Sequence, residues 1–175
     1  RLLLKNGSFA SETTREKVLG RFREHGIDSD RISLHAQTTT VAKHLELYNN
    51  IDIALDTFPY NGTTTTCESL WMGVPVVTLG GKTHASRASH SILHQLDLDW
   101  LVASSPEQYI EIASSFAFDI PKLSELRHSL RNRFKASRLG QHEQFTRDFE
   151  ELLKQAWNDH CTQHKVTSDP TRPVS

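Results

Sequence analysis

Cysteine is scarce in this sequence: Cys67 and Cys161 are the only two in 175 residues, they lie far apart, and they match no metal or redox spacing. No disulfide framework is expected, and both thiols are expected to stay reduced. An excess of either charge is missing too. Twenty Lys and Arg against 21 Asp and Glu give a formal charge of -1 and a pI near 6.9, which leaves no electrostatic footprint for nucleic acid or an anionic membrane. Apolar runs fall well short of the roughly 20 residues that cross a bilayer, and the first residues show no charged stretch followed by an apolar one. These absences lead us to expect a cytoplasmic protein with no nucleic-acid and no membrane partner. The opening "RLLLKN" lacks Met and reads at once as a buried strand, so the sequence is expected to begin inside a longer protein.

What is present is an alternation. Short runs rich in Leu, Ile and Val recur at residues 2 to 4, 32 to 34, 51 to 55, 74 to 79 and 101 to 103, each flanked by Gly, Asn, Asp or Ser. Between them lie stretches with helical spacing: Glu12 to Glu24, Val41 to Tyr48, Thr65 to Met72 and Ala85 to Leu96. Strands without in-out alternation, each followed by a helix, predict a parallel sheet covered on both faces, the doubly wound α/β arrangement. Beyond residue 104 only helices are predicted, over Pro106 to Phe116, Leu123 to Phe134 and Phe145 to about Trp157. The last carries Phe145, Phe149, Leu152, Leu153, Ala156 and Trp157 on one stripe, so it is expected to pack on something. The organisation expected is an α/β core over 1–104, C-terminal helices packing on the same lobe over 105–160, and a disordered tail over 161–175.

Ligands of open doubly wound sheets bind beyond the carboxyl ends of the strands, which directs attention to the loops Asn6 to Ala10, Ala36 to Thr40, Asp56 to Thr66 and Gly80 to His84. In "NGTTTTCES", residues 61 to 69, Gly62 and Thr63 to Thr66 sit where a helix begins. Unpartnered amides and the helix dipole favour an anion there, Gly62 lets the backbone come close, and threonine hydroxyls donate to oxygens that the amides miss. The pattern is neither a Walker A motif nor a G-x-G-x-x-G fingerprint. A plainer reading stands beside it: Thr65-x-x-Glu68 fits a capping box, which would use one threonine and the glutamate locally. Four threonines exceed what a cap requires. Gly80, Gly81, Thr83 and His84 form a second loop on the same sheet edge, with a simple turn as the alternative. His44 lies on the helix before the Asp56 strand, where a lone histidine more often belongs to the surface or the core.

The stretch "HLELYNNIDIALDTFPYNGTTTTCESLWMGVPVVTLGGKTHASRASHSIL", residues 44 to 93, resembles the carboxy-terminal half of the O-GlcNAc transferase and SPINDLY glycosyltransferase family. A weaker likeness continues through "SPEQYIEIASSFAFDIPKLSELRHSLRNRF" and the last helix, so that it covers roughly residues 1 to 157. The resemblance implies the Rossmann-like second lobe of a GT-B glycosyltransferase, a first lobe elsewhere in the parent protein, and upstream tetratricopeptide repeats. By position it implies that Thr63, Thr64 and Thr65 contact the donor diphosphate, that Glu68 accepts from the ribose hydroxyls, and that His44, Gly62, Thr83 and His84 support the donor site. The O-GlcNAc transferases generally carry Asp where this chain has Glu68 and His where it has Thr63. "GTTTTCES" and His84 look more like the SPINDLY branch, whose donor is GDP-fucose, whereas Asn61, Trp71 and Arg87 are closer to the branch that uses UDP-GlcNAc.

On that resemblance the function expected is the donor-binding half of a protein O-glycosyltransferase that moves GlcNAc from UDP-GlcNAc to Ser or Thr hydroxyls. An O-fucosyltransferase using GDP-fucose and an inactive nucleotide-binding scaffold are the alternatives. A free-standing flavodoxin-like domain fits less well, because "NGSFAS" after the first strand makes a poor phosphate loop. No metal or other cofactor is expected, since no DxD-type carboxylate pair lies beside the threonines and helix amides can stabilise a leaving diphosphate. The catalytic base and the acceptor groove are expected on the other lobe. This chain alone is therefore expected to bind nucleotide weakly and to catalyse little.

Overall fold

The computed structural model describes residues 1–163. Five strands form, all of them parallel: β1 (Leu2–Lys5), β2 (Ile32–His35), β3 (Ala54–Leu55), β4 (Val76–Leu79) and β5 (Val102–Ala103). They fall into two groups, where a single ladder was expected. β1 pairs with β2 in the register Leu2↔Ile32 to Lys5↔His35, and β4 lies between β3 and β5 with Ala54↔Val76 and Thr78↔Val102. Among the described residues no strand ladder joins the two groups.

The apolar runs overstate the strands for local reasons. Ile51 and Asp52 do not join a ladder, because the Arg127 guanidinium takes their carbonyls at 2.7 and 2.9 Å. Pro75 brings no N–H, and the Val74 amide turns back to the Ser69 carbonyl at 2.8 Å. Just before them Gly73 adopts φ +78°, the left-handed conformation that ends a helix.

The helices are α1 (Glu12–Glu24), α2 (Val41–Glu46), α3 (Thr64–Trp71), α4 (Ala88–His94), α5 (Pro106–Phe118), α6 (Ile120–Ala136) and α7 (His142–Gln163). α5 begins where Ser105 and Pro106 predict, with the Ser105 hydroxyl accepting from the Gln108 amide at 3.2 Å. α6 starts three residues ahead of the expected Leu123, because Asp119 caps it through the Lys122 amide and Pro121 fits the first turn. α4 starts later than Ala85, since Thr83 to Ser86 close into a turn of their own. α2 gives way to a 3-10 turn at Leu47.

One core holds the three-stranded group and its helices together. Leu70 of α3, Val76 and Val77 of β4, Leu93 of α4, Leu101 before β5 and Leu130 of α6 are all inside it. α6 is also tied to neighbouring backbone, since the Arg131 Nε donates to the Trp71 carbonyl at 2.7 Å. α7 differs: its stripe is exposed, at 62% for Phe145 and 65% for Trp157, and it buries no residue against the rest of the described chain. It extends through Gln163, past the expected boundary at 161, and the remainder of the expected tail, 164–175, lies outside the described residues.

Candidate donor-binding site

The threonine run sits at the start of α3, beyond the carboxyl end of β3. Thr63 is the cap residue and makes no side-chain cap bond, and Thr64 opens the helix. The capping-box reading is overturned here. Thr65 is already inside the first turn, and the Glu68 carboxylate points to other partners, so it does not return to a cap amide. Among the described residues the hydroxyls of Thr63, Thr64 and Thr65 make no hydrogen bond, and the amides of Thr64, Thr65 and Thr66 have no acceptor. All three hydroxyl-bearing residues are exposed. Thr66 is the exception in the run: it is buried, its hydroxyl shares a 2.8 Å bond with Ser89 of α4, and Ser89 in turn donates to the Gly62 carbonyl at 2.9 Å.

Asp56 organises the loop that leads into this helix. Its Oδ1 accepts from the Gly62 amide at 2.8 Å and the Thr57 amide at 3.0 Å, while its Oδ2 accepts from the Thr78 hydroxyl at 2.6 Å. Gly62 is needed by space. A Cβ there would lie 2.5 Å from the Thr65 Oγ1 and 2.7 Å from the Thr66 Oγ1. Asn61 is buried, donates through Nδ2 to the Thr57 carbonyl at 3.0 Å, and leaves its Oδ1 without a partner among the described residues. Buried acceptors are nearly always satisfied, so this loop holds one open position for a donor. A cavity of about 310 Å³ opens beside it, between Leu55, Asp56, Tyr60, Gly62, Thr65 and Ser69.

Tyr109 of α5 supports Asp56 from beneath by donating to its backbone carbonyl at 2.9 Å. Burial, with the Asp56 charge adding to it, pushes the Tyr109 hydroxyl up to about 12. An unfolded tyrosine ionises near 10, so the folded state holds this proton more tightly. The stabilisation is therefore complete below about pH 10 and disappears between about pH 10 and 12. We expect the stability advantage of the wild type over Tyr109→Phe to shrink across that window in urea unfolding at stepped pH. A constant gap would show that the hydroxyl does not titrate late.

His44 of α2 and Glu68 of α3 meet as a pair, the His44 Nε2 lying 2.8 Å from the Glu68 Oε2. Tyr48 is buried against both, with its ring edge-on to His44 at 5.6 Å and its hydroxyl 3.4 Å from the same carboxylate oxygen. Burial raises the Tyr48 pKa, and the Glu68 charge adds to the shift. Cys67 is likewise raised by burial, which keeps it a thiol.

The second loop is arranged differently from the expectation. Three of its amides are engaged internally: Gly80 bonds to the Ala103 carbonyl, Gly81 to the Ser86 carbonyl, and Thr83 to the Ser86 hydroxyl at 3.1 Å. The Thr83 hydroxyl is also taken by Ser86, at 2.9 Å. His84 remains exposed and lines a wider cavity of about 610 Å³ with Lys82, Arg87, His90, Ser91 and His94. That cavity is the larger, and the smaller one is the one that reaches the start of α3, at Thr65 and Thr66. Among the described residues no group of three or more His, Cys, Asp or Glu is placed to hold a metal ion.

Lys5, Tyr48, Asp56 and Asn61 belong to the site although residue patterns alone do not single them out as ligand contacts. Asp56 carries a usable signal, a carboxylate directly between a strand and the loop it must shape. Lys5 carries none, because it lies 39 residues from its partner His44.

Residues 9–149 match the family described as Glycosyl transferase family 41. The chain is 40% identical over 161 residues to the tomato (Solanum lycopersicum) protein named "Probable UDP-N-acetylglucosamine--peptide N-acetylglucosaminyltransferase SPINDLY", covering 92% of this chain and 17% of that protein. It is 32% identical over 152 residues to the UDP-N-acetylglucosamine--peptide N-acetylglucosaminyltransferase of Caenorhabditis elegans, covering 82% of this chain and 13% of that one. In three dimensions it matches a solved mutant of the Thermobaculum terrenum O-GlcNAc transferase with a TM-score of 0.88 at 35% identity, over 94% of this chain and 31% of that one.

The parallel α/β lobe is that of a glycosyltransferase, and this chain belongs to glycosyl transferase family 41. It spans about a sixth of the length of the curated relatives it matches.

Proposed function

We propose that this chain is the donor-binding half of a protein O-glycosyltransferase that transfers GlcNAc from UDP-GlcNAc to Ser or Thr hydroxyls. The observation that carries the reading is the start of α3, where three amides and three hydroxyls without partners stand together over a loop latched by Asp56. Such a cluster neutralises the charge that builds on a diphosphate as the bond to the sugar breaks. In the transfer, the acceptor oxygen attacks the anomeric carbon, and the electron pair of the broken bond leaves with the diphosphate. The hydroxyl proton passes to a base that we place on the other lobe. Thr63, Thr64 and Thr65 bind the diphosphate, Gly62 keeps the approach open, and Glu68 accepts from the ribose with His44 behind it. His84 and Thr83 support the donor site from the neighbouring loop. The names of the tomato and nematode relatives support the choice of donor.

Calorimetric titration of the chain with UDP and with GDP tests the reading. UDP binding supports it, GDP binding with weak UDP moves it to a GDP-fucose donor, and binding of neither removes it. Thr64→Val keeps the side-chain shape and deletes one hydroxyl, so diphosphate affinity should fall by about 1 to 2 kcal/mol while thermal stability stays close to wild type. A lowered melting temperature with unchanged affinity would make the hydroxyl structural.

A further inference from the structure

Lys5 lies at the end of β1, and its ammonium donates to the Thr38 hydroxyl at 3.2 Å and to the Nδ1 of His44. An ammonium has three donors and no acceptor, so the His44 Nδ1 must offer its lone pair. The ring proton then sits on Nε2, the atom that faces the Glu68 Oε2 at 2.8 Å. Tyr48 donates to that same oxygen at 3.4 Å. With Oε2 held by two donors, Oε1 receives no hydrogen bond among the described residues. We propose that Lys5 is the positioning residue of this site: by fixing His44 as the Nε2–H tautomer it orients Glu68, so that one carboxylate oxygen is left to accept from the ribose diol of the donor. The role rests on the reading of Glu68 as the ribose acceptor given above.

The arrangement explains why a half-buried carboxylate can serve as a rigid acceptor. Glu68 is 25% exposed and His44 is 23% exposed, so water is largely kept from the bond between them. A ring free to exchange tautomers would present a lone pair to the carboxylate part of the time, and the carboxylate would turn away. Three elements contribute, β1, α2 and α3, so the chain assembles the relay only when both strand groups are in place.

Nitrogen-15 NMR of the chain, reading the long-range proton couplings of the His44 ring, tests this without any nucleotide. The wild type should show the Nε2–H tautomer, Lys5→Met should lose that signature with the rest of the spectrum unchanged, and Lys5→Arg should restore it. Calorimetry with UDP and with 2′,3′-dideoxy-UDP adds a functional readout. Lys5→Met should lower the preference for the ribose compound by about tenfold, the value of one charge-assisted hydrogen bond, and leave affinity for the dideoxy compound as it was. A wild-type ring protonated on Nδ1, or a Lys5→Met chain that keeps both tautomer and ribose preference, overturns the proposal. Should the wild type bind neither compound, the donor reading falls, and the ring measurement alone then upholds or overturns the control of His44 by Lys5.

Discussion

Gly62→Ala should lower diphosphate affinity at least about tenfold while the chain still folds. The added carbon would lie 2.5 Å from the Thr65 Oγ1, 2.7 Å from the Thr66 Oγ1 and 3.4 Å from the Asp56 Oδ1. Thr65 can rotate away, but Thr66 is held by Ser89, and Ser89 is held by Gly62 itself. The loop must therefore move as a whole, which breaks the Asp56 latch and shifts the free amides of α3. Overpacking of this kind costs about 1 to 3 kcal/mol of stability. The seat loses more than a similar amount of binding, because every contact to the diphosphate depends on the same loop, and we expect at least about a tenfold fall in UDP or GDP affinity. Calorimetry on the folded variant checks this, and wild-type affinity would show that the loop does not shape the site.

Leu130→Ala should lower the stability of the fold further than Gly62→Ala does. Leu130 is completely buried, in the core shared by α3, β4 and α6. Truncating such a leucine costs about 2 to 5 kcal/mol through lost transfer energy and the cavity left behind. That is a large share of the roughly 5 to 15 kcal/mol by which a domain is stable. Phe118→Ala is the control, since Phe118 is 89% exposed at the end of α5 and its loss should cost less than about 0.5 kcal/mol. Urea unfolding of both variants separates burial from hydrophobicity as such. Equal costs would place Leu130 outside the cooperative core.

Much of this fold could be read from residue patterns, and the limits of that reading have physical causes. Apolar runs marked all five strands, because strands covered on both faces are written as unbroken Leu, Ile and Val. They did not mark strand ends, which depend on whether a carbonyl meets a ladder or an arginine from α6, as at Ile51 and Asp52. Nor did they reveal the division of the strands into two groups, which is a matter of long-range pairing. Ser105 with Pro106 locates a helix start through local rules, whereas the leucine spacing that marks α6 begins only at Leu123, three residues after the start that Asp119 and Pro121 set. In the site, the open amides of Thr64 to Thr66 follow from sequence position, because a helix start leaves amides open wherever it occurs. The separate task of Thr66 does not, since it depends on Ser89, 23 residues away. Nor does sequence show that Thr83, on the expected sheet edge, shares its hydroxyl with Ser86 three residues on.

Helix α6 grips its neighbours through main-chain oxygens. Arg127 holds the carbonyls of Ile51 and Asp52, and Arg131 holds that of Trp71. A carbonyl is the same chemical group whatever side chain it precedes. The gripped segments are thereby free to vary in residue type over evolutionary time without loosening the strap, whereas the two arginines are not, because a side chain without a donor at that reach would leave the carbonyls unpaired. Homologous chains should therefore show drift at 51 and 52 beside constancy at 127.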